Sequence, residues 1–225
     1  MSTRQYKVVE KFISVNGEGS LAGQLAVFIR FAGCNLRCSY CDTHWANEES
    51  VKYEEMSEND IYGFIKETAI TNVTLTGGEP LLQEGIDRLL SLLATDHQLR
   101  VEIETNGSIE FREFSKITPN RPVFTIDYKL GSSGMERAMK VGNFDCLKPQ
   151  DTVKFVAGSM KDLETAKHIL EKYELTDKCG VHLSPIFGKI EMTNIVEFMK
   201  QNKMNGVRLQ PQLHKIIWRP DTRGV

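Results

Sequence analysis

The chain has 225 residues, 40% of them hydrophobic and 26% charged, with a formal net charge of -2. That balance belongs to a self-folding globular protein; it excludes a disordered or fibrous chain and the broad basic field that nucleic-acid phosphates demand. The opening MSTRQYKVVEKF holds no apolar signal core, and no apolar run approaches the roughly 20 residues that span a bilayer, so a cytoplasmic protein binding neither membrane nor nucleic acid is expected.

In chain order, β-branched and aromatic runs predict strands at 25–31 (LAVFIRF), 72–77 (NVTLTG), 99–105 (LRVEIET), 122–129 (PVFTIDYK), 152–158 (TVKFVAG), 181–187 (VHLSPIF) and 206–211 (GVRLQP). Between them, SENDIYGFIKETA opens on Ser57 as an N-cap, SMKDLETAKHILEKYE carries Leu163, Ala166, Ile169 and Leu170 at helical spacing, and GKIEMTNIVEFMKQNK reads the same way. With no repeat, low-complexity tract or linker, the alternation predicts one α/β domain over 1–225. Its form is a partial parallel β/α barrel of about six strands, with an open doubly wound sheet as the alternative. Either architecture places the active site in the loops after the strands, where the cysteines, TGGEP, ETNG and SPIFG all fall.

FAGCNLRCSYCDT concentrates three of the five cysteines at Cys34, Cys38 and Cys41, too close together for a disulfide framework. Their spacing allows a buried helix face; it allows a structural zinc completed by His44, Cys146 or Cys179, although no second ligand pair is visible; and it allows a four-iron, four-sulfur cluster with one iron left open. Cys146 and Cys179 stand apart and read as small buried hydrophobes. Arg30 interrupts the apolar run LAVFIRF near its exit end with a guanidinium suited to a bidentate carboxylate clamp, or to a rim ion pair, and Glu18 in NGEG has the acceptor pair that reads an amino-pyrimidinone edge. Asp42 suits a helix cap better than a metal. TGGEP alone is an ordinary strand-to-helix turn, but its glycines would let backbone approach a ligand, and Glu79 could accept from a ligand ammonium.

C-x3-C-x2-C with Tyr40 before the third cysteine, followed one strand later by TGGEP, resembles the radical S-adenosylmethionine superfamily. NGEG, an arginine four residues before the first cysteine, CDT, ETNG, SSGM, SPIFG and LHKIIW together are similar to the 7-carboxy-7-deazaguanine synthase family, over most of the chain from about Phe12. A glycyl-radical-enzyme activase shares the cysteine spacing and is the competing radical enzyme. The resemblance implies a ring contraction of 6-carboxy-5,6,7,8-tetrahydropterin to 7-carboxy-7-deazaguanine with loss of ammonia, in queuosine or deazapurine synthesis. A 5′-deoxyadenosyl radical would take a hydrogen from substrate C6 and later recover one. It also implies a cluster on Cys34, Cys38 and Cys41, Mg²⁺ at Thr43, an electron donor such as flavodoxin or ferredoxin, and a homodimer. For S-adenosylmethionine it implies Tyr40, Asp42, Gly78, Glu79, Tyr128, Lys129 and the loop Ser184, Pro185, Ile186 and Phe187; for substrate, Asn16, Gly17, Glu18, Arg30 and Thr76. The tail WRPDTRGV is a candidate to fold back over the substrate through Arg223 or Val225.

Overall fold

All seven expected runs form strands in the structure, a computed structural model that describes residues 4–225. They are β2 (Leu25–Phe31), β4 (Asn72–Gly77), β5 (Arg100–Thr105), β6 (Val123–Tyr128), β7 (Thr152–Ala157), β8 (Gly180–Pro185) and β9 (Val207–Leu209). Two further strands, β1 (Tyr6–Val15) and β3 (Glu54–Met56), pair antiparallel at one edge, giving a nine-stranded sheet in the order β3-β1-β2-β4-β5-β6-β7-β8-β9. The parallel part therefore has seven strands rather than about six, because the short β9 still pairs with β8 through Val181–Val207 to Leu183–Leu209.

The helices lie where their apolar spacing puts them. In α1 (Glu58–Glu67), Ser57 accepts from Asp60 N at 3.2 Å while Asp60 Oδ2 accepts from Ser57 N at 2.8 Å, a reciprocal cap that satisfies two donors at the helix start. α2 (Ile86–Ala94), α3 (Met160–Lys172), the short α4 (Leu175–Lys178) and α5 (Met192–Gln201) complete the crossovers, and α6 (Leu213–Ile217) follows β9. Strand residues of one parity, Ile29, Leu75, Ile103, Phe124 and Phe155 among them, share a single apolar cluster with Ile61, Ile65, Leu89, Leu163 and Ile195 of the helices. Each such large side chain stabilises the fold by about 1.5–3 kcal/mol on burial.

The opposite parity is polar. Arg30, Thr76, Glu104, Thr125, Asp127, Lys154, His182 and Ser184 alternate with the apolar positions, so they share the sheet's other face. The sheet is curled around that face. The loop after β1 lies near one end of the strand order, yet Glu18 pairs with Lys154 on β7 at 2.8 Å, and Gly19 exchanges two hydrogen bonds with Gln210 just after β9. A doubly wound sheet would need helices against this face; instead the curl makes it the lining of an incomplete barrel.

Candidate active site

The expected loops converge at the C-terminal ends of the parallel strands. The cysteine loop is laced to TGGEP by Gly78 N donating to Phe31 O at 3.1 Å and Glu79 N to Gly33 O at 2.8 Å. It meets ETNG through Asn106 Nδ2, which donates to Cys34 Sγ at 3.4 Å and to Asn35 Oδ1 at 3.1 Å. It meets SSGM through Ser39, whose N donates to Ser133 O at 3.1 Å and whose Oγ donates to Ser132 O at 2.6 Å. SPIFG joins the same rim: Cβ-less Gly158 faces both Ile186 and Ser132.

Residues 34–43 form no helix, which removes the buried-stripe reading of the cysteines. Cys34 Sγ accepts from Leu36 N at 3.4 Å as well as from Asn106, donors that suit a thiolate bound to metal. Burial pushes the Cys34 and Cys38 thiols up, so ionisation at this loop is favoured by a bound metal rather than by the protein alone. Cys146 and Cys179 are buried in the apolar layer, as expected of unligated cysteines. Among the described residues no three Cys, His, Asp or Glu side chains form a single-ion site, so a closed zinc centre has no ligand set there. Three thiols on one polar, irregular loop fit the corners of a cluster.

The structure revises three expected roles. Glu79 is fully buried, and both carboxylate oxygens are occupied: Oε1 accepts from Leu81 N at 3.0 Å and Thr105 Oγ1 at 2.8 Å, Oε2 from Asn106 N at 2.7 Å. Burial pushes its carboxyl up to about 7 despite these donors, and its work is to bolt TGGEP to ETNG rather than to meet a ligand ammonium. Tyr128 faces the apolar layer, its ring 5.4 Å from Phe155 and 6.1 Å from Phe144, because strand alternation turns it away from Asp127 and Lys129. Asp42 caps no helix; the turn at His44–Asn47 starts from Thr43, and Asp42 pairs with Lys215 of α6 at 2.9 Å.

Gly78 is required by the protein's own packing, since a Cβ there would overlap the Gly33 carbonyl and the Asn47 side chain. Lys129 lies 2.8 Å from Asp127 and stacks its ammonium 5.7 Å from the centre of the Tyr40 ring. Burial works against the Lys129 charge, but Asp127, Tyr40 and Cys38 together hold the ammonium above its ordinary range. Ser184 is fully buried with an unpartnered Oγ on the lumen side, whereas Phe187 is 59% exposed at the loop tip. Thr43 Oγ1 is 3.6 Å from Cys41 Sγ.

Deeper in the lumen, Thr76 donates to Glu104 at 2.9 Å, Asn16 Oδ1 accepts from Thr74 at 2.8 Å, and Gly17 is covered by His214, whose ring would collide with any Cβ there. Arg30 is held through Nε by Glu10 at 3.0 Å; its two Nη groups have no hydrogen-bond partner among the described residues. The rim ion pair and the free clamp thus use different edges of one guanidinium. At the far end, Arg223 of the tail sits 4.0 Å from the Trp45 ring, folding the C-terminus onto the cysteine loop.

Sequence reading missed Glu102, Glu104, Asp127, Lys154, His182 and His214. The first five sit at alternate positions inside runs recognised as strands, and that period of two was the available signal.

A curled parallel sheet with an open three-cysteine loop and an adjoining glycine turn defines a radical S-adenosylmethionine enzyme, and residues 28–142 match the Radical SAM superfamily. The chain is 58% identical over 220 residues to the 7-carboxy-7-deazaguanine synthase of Clostridium acetobutylicum, covering 98% of this chain and 99% of that one. It is 35% identical to the enzyme of the same name from Leptospira interrogans over the full length of both. The crystal structure of QueE from Escherichia coli superposes with a TM-score of 0.71 at 26% identity, over 92% of this chain and 94% of that one. The chain belongs to the 7-carboxy-7-deazaguanine synthase family, and that membership implies a four-iron, four-sulfur cluster and S-adenosylmethionine.

Proposed function

We propose that the chain converts 6-carboxy-5,6,7,8-tetrahydropterin to 7-carboxy-7-deazaguanine with release of ammonia. The observation that carries this reading is one lumen combining a free cationic edge with buried acceptors that lack partners. Glu18 Oε1, Asp127 Oδ1, Glu102 Oε2 and His182 Nε2 are buried without a hydrogen bond, beside the unpartnered amide donor Asn16 Nδ2. Such atoms are costly unless a ligand satisfies them. An amino-pyrimidinone fused to a reduced ring brings several N–H donors and one carbonyl, and its carboxylate suits the Nη edge of Arg30.

When bound, the cluster and S-adenosylmethionine supply a 5′-deoxyadenosyl radical. Cys34, Cys38 and Cys41 would hold the cluster; Tyr40, Asp42, the backbone at Gly78 and Tyr128, Lys129 and the Ser184 to Phe187 loop would hold the cofactor. Asn16, Gly17, Glu18, Arg30 and Thr76 would fix the pterin, with His214 against the loop that carries Glu18. Thr43 is the proposed protein ligand of Mg²⁺, an ion that takes few protein ligands and completes its octahedron with water and substrate oxygens. The reading includes a low-potential donor such as flavodoxin or ferredoxin, and a homodimer.

The test is an anaerobic incubation of reconstituted, reduced protein with S-adenosylmethionine and carboxytetrahydropterin. Ammonia and deazapurine absorbance appearing together support the reading; neither appearing, with the cluster intact, rejects it. Formation of a glycyl radical on a partner protein instead would establish the activase.

A further inference from the structure

Lys154 projects from the middle of β7 into the lumen with its side chain only 8% exposed, and it is the one cation within ion-pair distance of Glu18 among the described residues. Its Nζ is 2.8 Å from Glu18 Oε2 and 3.5 Å from Asp127 Oδ2. The two carboxylates depend on it unequally. Asp127 has a second partner, Lys129 at 2.8 Å, whereas Glu18 Oε1 is buried with no partner at all.

This geometry is imposed by the backbone. Gln210 Nε2 donates to Gly19 O at 2.9 Å, and Gly19 N donates to Gln210 Oε1 at 2.8 Å, pinning the residue next to Glu18. Gln210 Oε1 also accepts from His182 Nδ1 at 3.0 Å, an assignment that leaves His182 Nε2 as a bare acceptor. The Glu18 loop is therefore fastened to the far side of the lumen by side chains that do not touch Lys154's ammonium.

Building on the pterin reading, we propose that Lys154 is a specificity-determining positioning residue: it holds Glu18 through Oε2 with Oε1 presented to the ligand, so the site selects a 2-amino-pyrimidinone over its 2-oxo counterpart. A carboxylate at this position attracts the ligand's amino and ring N–H groups and repels a carbonyl oxygen. Without Lys154, Glu18 has no ion-pair partner among the described residues, and nothing fixes which carboxylate edge meets the ligand. Glu104, His182 and His214 also lie within electrostatic reach of Glu18, and none of the three supplies a fixed cation.

The test is fluorescence titration of the cluster-loaded, unreduced protein with 6-carboxypterin and 6-carboxylumazine, ligands that do not turn over. The unaltered protein should bind the pterin about tenfold or more tightly than the lumazine, the size of one hydrogen bond to a charged group. Lys154→Met should narrow that ratio to within about threefold, largely by losing pterin affinity, while Lys154→Arg retains it. Should Lys154→Met fail to fold, Lys154→Gln carries the same comparison. An unchanged ratio in the uncharged variant overturns the proposal while leaving the pterin site standing. Failure of the unaltered protein to bind 6-carboxypterin overturns both.

Discussion

The two faces of the parallel sheet are built from the same strands and are equally buried, yet they do opposite work. On the helix side, Phe124, Phe155, Ile103 and Leu75 pack with helix residues into one cluster. On the lumen side, Glu18, Glu102 and His182 are nearly as well hidden from solvent but leave polar atoms unpartnered. The helix side therefore gains stability from every contact. The lumen side holds desolvated polar groups in fixed positions at a cost to stability, which is the signature of a surface arranged for a ligand.

The contrast can be broken most forcefully from the helix side. Phe155, fully buried beside Tyr128, should cost about 3–5 kcal/mol when cut to alanine, read as a lower denaturant midpoint. The activity of the remaining folded fraction should stay near normal.

On the lumen side, Glu102→Gln should have the reverse sense. Burial pushes this carboxyl up to about 7, Glu104 adds to the rise, and the hydrogen bond from Thr125 opposes it. A carboxyl raised in the folded state contributes stability below its unfolded value, and loses it as pH climbs through the folded value. Stability should therefore fall by about 3 kcal/mol at most from pH 5 to 8 on account of this group, given about 1.4 kcal/mol per unit. The glutamine variant should show a flatter profile by chemical unfolding and be the more stable protein at pH 8.

A smaller and purely functional effect is expected at the rim. Thr43→Ala should leave the cluster spectrum intact and slow turnover while weakening its response to Mg²⁺; an undiminished response removes Thr43 from the metal site. The least effect belongs to the Asp42–Lys215 pair, whose carboxylate is half-exposed. Lys215→Met should change global stability by no more than about 1 kcal/mol, seen as a small shift in thermal midpoint.

How much of this was legible in the sequence follows the same division. The strands and α1, α3 and α5 were readable because apolar periodicity and the Ser57 cap are local signals. The cysteine loop and TGGEP were readable as motifs, but their mutual lacing was not: the glycines that looked designed for a ligand are needed first because Phe31 and Gly33 lie against them. β1 escaped notice because YKVVEKFISV mixes charges into a strand that is antiparallel and half-exposed. The lumen residues were visible only as polar alternates in VEIET, TIDYK and TVKFV. What they touch depends on curvature: Glu18 meets Lys154 across 136 positions of sequence, and no local pattern encodes that meeting. Tyr128 was misplaced for the complementary reason, since one step along a strand exchanges the faces.

On the proposed function, the polar lumen rather than any outer surface should receive the carboxylated pterin, with Arg30 as its clamp. Steady-state kinetics of Arg30→Gln with carboxytetrahydropterin, at matched iron content and S-adenosylmethionine affinity, tests it most directly. Loss of a desolvated, charge-assisted contact worth about 2–5 kcal/mol predicts a fall in kcat/KM of at least about thirtyfold. A variant with unaltered cluster and unaltered kcat/KM would contradict the account.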